Sequence, residues 1–367
     1  MKLLILTCST GGGHTSAARA VAETASEAGA ECVIMDALRF LPGVEGKVIS
    51  RGHTFVYRHM PRLFGVGYRM ERRGGARAFR VTCARGARAL RRCILEGGYD
   101  AVFSVHVFAS FMLSELRRRG LLNVPAAQVA TDYTCSPGFA ECNLDLNFIP
   151  LGLRDEFIAC GLRPEQLADT GIPVRREFSR GKTREHARRL LKLPKSGPLV
   201  LLMCGSMGCG PMEKLAEGLS AALPEDGTLA VLCGTNERLK ADIEAAGLAN
   251  VRPVGYTKRV SLWMDAADLI ISKPGGLTSS EAMAKRLPMI IVDAVPGCET
   301  KNLEYLTARG CARFVPVEDI PAAARELLLN ADEREEIRGR IEQNFPQGAA
   351  ERITEALFGL AKGQSRG

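Results

Sequence analysis

Short apolar runs, each closing on a glycine-rich or polar turn that opens a helical stretch, recur in two series along the chain, and few folds accept that pattern. In the first series the runs at 3–8, 31–35, 101–105, 126–130 and 144–149 alternate with helical stretches at 17–28, 76–95 and 108–119. Runs that are apolar throughout predict strands buried on both faces, hence parallel sheets flanked by helices. After Gly171-Ile172-Pro173, a polar stretch at 174–189 rich in Arg and Lys reads as a linker. The second series places strands at 198–203, 229–233, 251–254, 267–271 and 288–292. Helices are expected at 212–223, 237–246 and 278–285, from Lys301 onward, and at 321–330, 333–344 and 349–360. The fold predicted is α/β: two Rossmann-like domains facing each other across a cleft, 1–171 and 172–346, with 347–367 packing back on the first. A length of 367 residues suits two such cores. Parallel sheets bind ligands outside the carboxyl ends of their strands, which directs attention to the glycine turns.

Composition narrows the class. Hydrophobic residues make up 46% and charged residues 25%, the balance of a globular enzyme. The 12 cysteines are scattered without CxxC spacing and with few histidines to complete a zinc site, so reduced thiols of a cytoplasmic protein are expected. The apolar start Met1–Cys8 is too short for a secretion signal, and no run approaches the roughly 20 apolar residues of a spanning helix.

Charge is distributed unevenly. Residues 51–92 contain twelve arginines against a single acid, Glu71, although the whole chain carries only +8. Among these are Arg72, Arg73, Arg80 and Arg88, interleaved with apolar residues such as Phe64, Tyr68, Phe79 and Val81. Basic and apolar residues in alternation suit docking on an anionic lipid surface, where each cation adds about 1 kcal/mol. A solvated helix face or an RNA-binding surface uses the same residue types, and membrane docking is the reading favoured over nucleic acid.

Two glycine turns carry the chemistry. Thr10-Gly11-Gly12-Gly13-His14-Thr15-Ser16 follows the first strand and opens a helix, whose N–H groups suit close approach of a ligand. A dinucleotide fingerprint is a competing reading, with Asp36 at ribose distance, but Ser16 replaces its third glycine. An imidazole at a helix N-terminus stays neutral, so His14 is a candidate base for an acceptor hydroxyl. The second turn is Ser272-Lys273-Pro274-Gly275-Gly276-Leu277-Thr278-Ser279-Ser280-Glu281. Gly275, Gly276 and Thr278 suit a phosphate at a helix N-terminus. Glu281 lies one turn deeper, suited to ribose hydroxyls. Ser206, in Cys204-Gly205-Ser206-Met207-Gly208, offers further N–H groups, and Glu299 and Asn302, in Pro296-Gly297-Cys298-Glu299-Thr300-Lys301-Asn302, suit sugar hydroxyls.

Together with Ala130-Thr131-Asp132-Tyr133 and Thr170-Gly171-Ile172-Pro173, these stretches resemble the monogalactosyldiacylglycerol synthase and processive diacylglycerol glucosyltransferase family. That family is related to the lipid II-forming N-acetylglucosaminyltransferase. The resemblance implies the GT-B architecture and an inverting transfer of a hexose from a UDP-sugar to a membrane lipid, diacylglycerol first of all. It implies no cofactor and no catalytic metal, with a cytoplasmic enzyme peripheral on the inner face of the cell membrane. It assigns His14 and Asp132 to the acceptor hydroxyl beside Gly11, Gly12 and Gly13. Gly275, Gly276 and Thr278 fall to the diphosphate, Glu281 to ribose, Glu299 and Asn302 to the sugar, and the Gly255-Tyr256 turn to uracil. Departures are Cys298, where the family often has glutamine, and His106-Val107, where it has histidine-proline. A polyprenyl-linked acceptor, or a UDP-N-acetylglucosamine epimerase of the same architecture, are the alternatives.

Overall fold

The computed structural model describes residues 1–9, 12–46, 48, 49, 52 and 76–364. The chain divides into two compact units. One comprises Met1–Arg176, Val295–Lys301 and Gly348–Gly367, and the other Glu177–Ala294 and Asn302–Gln347.

The first unit runs β1 (Lys2–Thr7), α1 (Gly12–Glu27), β2 (Glu31–Asp36), α2 (Ala76–Ala84), α3 (Ala87–Gly97), β3 (Ala101–Ser104), α4 (Val107–Arg118), β4 (Ala126–Val129), β5 (Leu146–Ile149), α5 (Arg154–Ala159) and β6 (Leu167–Asp169). All strands pair parallel in the order β2-β1-β3-β4-β5-β6. The central strands β1, β3 and β4 are buried almost throughout, which is why they read as unbroken apolar runs. Leu4, Leu6, Val102, Leu90 and Met112 lie in one core cluster that joins sheet and helices. The order reverses at β1, with β2 on one side and β3 on the other. The turns after β1 and β3 therefore flank the sheet's switch point, where ligands of such folds bind.

The second unit starts within α6 (Arg176–Ser179) and continues through α7 (Arg184–Leu191), β7 (Leu199–Met203), α8 (Met212–Ala222), β8 (Thr228–Gly234), α9 (Glu237–Ala245), β9 (Val251–Gly255), α10 (Val260–Ala266), β10 (Leu269–Ser272), α11 (Gly276–Ala284), β11 (Met289–Ile291), α12 (Cys298–Ala308, of which it takes the part from Asn302), β12 (Ala312–Phe314), α13 (Ile320–Leu329) and α14 (Ala331–Asn344). Its sheet is again wholly parallel, in the order β12-β11-β10-β7-β8-β9, and its switch point lies between β7 and β10. The last helix, α15 (Ala349–Gln364), belongs to the first unit and packs along α1.

Several expectations need correction. The helix expected over 76–95 is two helices, because the amides of Arg85 and Gly86 bond three residues back, to Thr82 and Cys83, and close α2. Gly86 also passes so close to α4 that a Cβ there would meet the Met112 side chain at 2.9 Å. The helix expected from Lys301 begins at Cys298, and the one expected from Thr278 begins at Gly276. The strands β6 and β12 and the short helices α5 and α10 give windows too brief for periodicity to reveal.

The stretch 174–189 is not an open linker. Thr183 caps α7, its hydroxyl accepting the His186 amide, and Arg188 is buried against the carbonyls of Ala266 (3.1 Å) and Gly197 (2.8 Å) and the Asp268 carboxylate (3.0 Å). Just before it, Lys285 Nζ donates to Asp265 (2.6 Å) and to the Glu177 carbonyl (2.6 Å), while the Lys182 amide donates to Asp265 (3.1 Å). Gly181 is required here by close approach, since a Cβ would stand 2.6 Å from the Asp265 carboxylate.

Candidate active site

The first half-site forms at the switch point of the first sheet. Gly12 and Gly13 open α1, and His14 is its third residue. Gly11 lies outside the described residues, as does Thr10. His14 is half-buried, and its Nδ1 stands 3.0 Å from the carbonyl of Val105, in the turn after β3. A carbonyl only accepts, so Nδ1 carries the proton and Nε2 keeps its lone pair. Thr131 Oγ1, after β4, stands 3.4 Å from the same nitrogen. Burial pulls the imidazole below its ordinary pKa of 6.5, while the Asp132 carboxylate and the Val105 carbonyl oppose that shift. His14 is thus held neutral at pH 7 with an unprotonated nitrogen, the state a general base needs.

Asp132 acts electrostatically on His14, so two residues separated by most of a domain in sequence share one site. Its loop is secured from α5, where Glu156 Oε1 accepts the Thr134 hydroxyl (2.6 Å) and the Cys135 amide (2.9 Å). The loop Val295–Lys301 goes with this unit, and there burial drives the Cys298 thiol well above its usual pKa, the nearby Asp132 charge adding to the effect. All twelve cysteines carry free thiols.

Asp36, the ribose candidate of the competing dinucleotide reading, is engaged by its own surroundings. Its Oδ1 accepts the Leu38 amide at 2.9 Å and caps the short turn Ala37–Phe40, and its Oδ2 accepts the Ser9 hydroxyl.

The second half-site forms at the switch point of the other sheet. Gly275 caps α11 in extended conformation and Gly276 opens it, with Ser280 Oγ donating to the Gly276 carbonyl at 2.6 Å. Thr278 is half-buried in the first turn, and Glu281 is buried one turn further along. Beside them the turn after β7 holds Gly205, Gly208 and Gly210 at positive φ, which exposes Ser206 and Gly210. Gly234 must lack a side chain, because its Cβ would meet the Ser206 carbonyl at 2.2 Å. Tyr256 is exposed after the edge strand β9, two strands from β7. Glu299 and Asn302 lie in the first turns of α12, both buried, with Glu299 Oε2 accepting the Val295 amide at 2.7 Å. Their spacing of three residues sets them on one helix face.

On the arginine-rich surface, Arg72 and Arg73 lie outside the described residues. Arg80 is ion-paired with Glu141 at 3.1 Å, and Arg88 is exposed on α3. Three contributors to the first half-site were assigned no role from the sequence: the Val105 carbonyl, Thr131 and the ring of His106, although Thr131 and His106 stand in stretches compared with the family.

Comparison with known proteins agrees with this geometry. Residues 14–174 match the family described as monogalactosyldiacylglycerol (MGDG) synthase, and residues 199–352 match the glycosyltransferase family 28 C-terminal domain. The chain is 26% identical over 364 residues to a processive diacylglycerol beta-glucosyltransferase of Bacillus licheniformis, covering 96% of this chain and 93% of that one. It is 29% identical over 333 residues to a chloroplastic monogalactosyldiacylglycerol synthase of Spinacia oleracea, covering 86% of this chain and 63% of that one. Among solved structures, MurG of Acinetobacter baumannii superposes with a TM-score of 0.63 at 15% identity, over 98% of this chain and 99% of that one. A UDP-GlcNAc 2-epimerase of Neisseria meningitidis reaches 0.64 at 12% identity, over 98% of this chain and all of that one (100%). These two likenesses show the fold and do not separate transferase from epimerase.

Two wholly parallel six-stranded sheets, each with glycine turns at its switch point, define a GT-B protein. The two family matches make it a glycosyltransferase. Its first unit carries the match to the MGDG synthase family and its second the match to the family 28 C-terminal domain.

Proposed function

We propose that this glycosyltransferase moves a hexose from a UDP-sugar to diacylglycerol at a membrane surface, with inversion at the anomeric carbon and without a catalytic metal. The observation that carries the proposal is the bond between His14 Nδ1 and the Val105 carbonyl, in the unit that matches MGDG synthase. It leaves Nε2 to take the proton of the acceptor hydroxyl. The acceptor oxygen then forms its bond to the anomeric carbon as the bond to the diphosphate breaks, and UDP leaves with the electron pair. Asp132 offsets the charge of the imidazolium formed. The amides at Gly275 and Gly276, with Thr278 and the turn around Ser206, receive the diphosphate, the helix end supplying the positive potential that a cation gives elsewhere. Glu281 takes the ribose hydroxyls, Glu299 and Asn302 the sugar, and the Tyr256 turn the uracil.

The test is synthesis. Purified protein, a panel of UDP-sugars and vesicles containing diacylglycerol are expected to yield glycolipid and UDP, with the yield unchanged by EDTA. Glu281→Ala removes a charged hydrogen-bond acceptor and is expected to weaken UDP-sugar binding by about 10–150-fold, as a loss of about 1.5–3 kcal/mol requires. Turnover of a polyprenyl-phosphate acceptor in place of diacylglycerol sinks the lipid assignment. Conversion of UDP-N-acetylglucosamine with no acceptor present sinks the transferase.

Membrane docking is part of the same proposal. No helix among the described residues is long and apolar enough to cross a bilayer. Val81 and Leu95 are 61% and 48% exposed on α2 and α3, with Arg88 and Arg92 exposed on the same face of α3 as Leu95. Apolar groups presented among cations suit insertion between anionic headgroups. Binding to phosphatidylglycerol vesicles is expected to fall steeply between about 50 and 500 mM salt and to drop further in Arg88→Glu. Binding that ignores salt overturns electrostatic docking.

A further inference from the structure

We infer that a buried serine pair behind the turn from β3 to α4, Ser104 and Ser110, sets the tautomer and the aim of His14. The consequence for turnover rests on the reading of His14 as the base; the tautomer itself does not.

The chain of bonds starts on α4. Ser110 Oγ donates to Ser104 Oγ at 2.9 Å, and Ser104 Oγ donates in turn to the His106 carbonyl at 2.9 Å. Ser104 Oγ also accepts the backbone N–H of His106, at 3.4 Å. Its one proton and both lone pairs are then committed. The His106 N–H shares a planar peptide with the Val105 carbonyl, and across a trans peptide the two point in opposite directions. Holding the N–H toward Ser104 therefore turns the carbonyl toward His14 Nδ1. Val105 is pinned from its other side as well, its N–H donating to the Leu6 carbonyl of β1 at 3.0 Å.

The ring of His106 completes the arrangement. Its Nδ1 accepts the Phe108 amide at 3.2 Å and so caps α4, and its edge packs on the His14 ring with centroids 4.5 Å apart at 71°. Both serines are fully buried. A hydroxyl taken out of water without bonds is costly, so a pair this well satisfied specifies one geometry rather than merely filling space. Ser104 and Ser110 are positioning residues: they act on the acceptor through Val105 and His14.

The decisive measurement is long-range proton–nitrogen NMR of the 15N-histidine-labelled protein beside steady-state kinetics. The wild type is expected to show His14 protonated on Nδ1 with Nε2 bare. Ser104→Ala releases the His106 amide, so His14 is expected to populate the Nε2-protonated form. With it kcat should fall by about 10–100-fold, KM for the UDP-sugar staying within about 2-fold. Ser104→Thr keeps the oxygen and is expected to restore both. Ser110→Ala leaves Ser104 in place and is expected to move tautomer and kcat the same way by a smaller factor, which keeps the test open if Ser104→Ala fails to fold. A lower Tm with tautomer and kcat unchanged means a purely structural knot and overturns the inference, as does a fall in kcat with the tautomer unmoved. A shifted tautomer with full turnover upholds the inference and removes His14 from the role of base.

Discussion

His14→Ala is expected to lower kcat by about 10²–10⁴-fold, the range that removal of a general base produces, while UDP-sugar still binds. The two effects separate because His14 sits at the switch point of the first sheet, whereas the glycine turns proposed for the diphosphate belong to the second. The pH profile gives the sharper check. Burial outweighs the opposing pull of Asp132, so His14 protonates below 6.5 and the acid limb of kcat is expected below that value. Asp132→Asn removes a charge that raises the imidazole's pKa, so the acid limb is expected to move to still lower pH. The plateau falls too, because the imidazolium loses its counter-charge. An acid limb that moves upward in Asp132→Asn contradicts the pairing. Titration of UDP-sugar into His14→Ala by calorimetry checks the donor half independently.

Asp265→Ala is expected to destabilise the second unit by about 3–5 kcal/mol, because it strands a buried ammonium without its counter-ion. The Lys285 and Asp265 side chains are only 4% and 6% exposed, so solvent does not screen the loss. For a unit of this size the fall in Tm is roughly 10 °C, read by calorimetry. Burial lowers the Lys285 pKa and Asp265 opposes that. Without Asp265 the folded value drops further, so the folded state releases a proton that the unfolded chain keeps. The deficit is then largest near neutral pH and shrinks as pH rises toward the unfolded value of about 10.5. Asp265→Leu combined with Lys285→Met removes both charges and is expected to recover most of the loss. The pair also matters for the donor site, since Lys285 caps α11, the helix that Gly275 and Gly276 begin. A double variant as unstable as the single one shows that packing, not charge, holds this joint.

Sequence and structure disagree most where contact crosses the chain. Residues 174–189 read as linker because Arg and Lys dominate and apolar periodicity is weak. Two of the groups that receive Arg188, the Ala266 carbonyl and the Asp268 carboxylate, lie 78 and 80 residues further on and leave no local mark. The turn at Gly86 was missed for the same reason, the crowding coming from Met112 on another helix. By contrast the strands β1, β3, β7 and β10 were legible because burial on both faces demands an apolar residue at every position.

The candidate site divides along the same line. The glycine turns, His14 and the Gly275–Glu281 segment are legible because close approach of a ligand to a helix N-terminus admits few residue types. Chain order alone also determined which strands carry them. What the tertiary structure decided is the state of His14: neutral through burial, protonated on Nδ1 by a carbonyl 91 residues away, and paired electrostatically with Asp132. A backbone carbonyl has no residue identity, and desolvation is a property of everything packed around a group. Neither is written in the amino-acid order of the site itself.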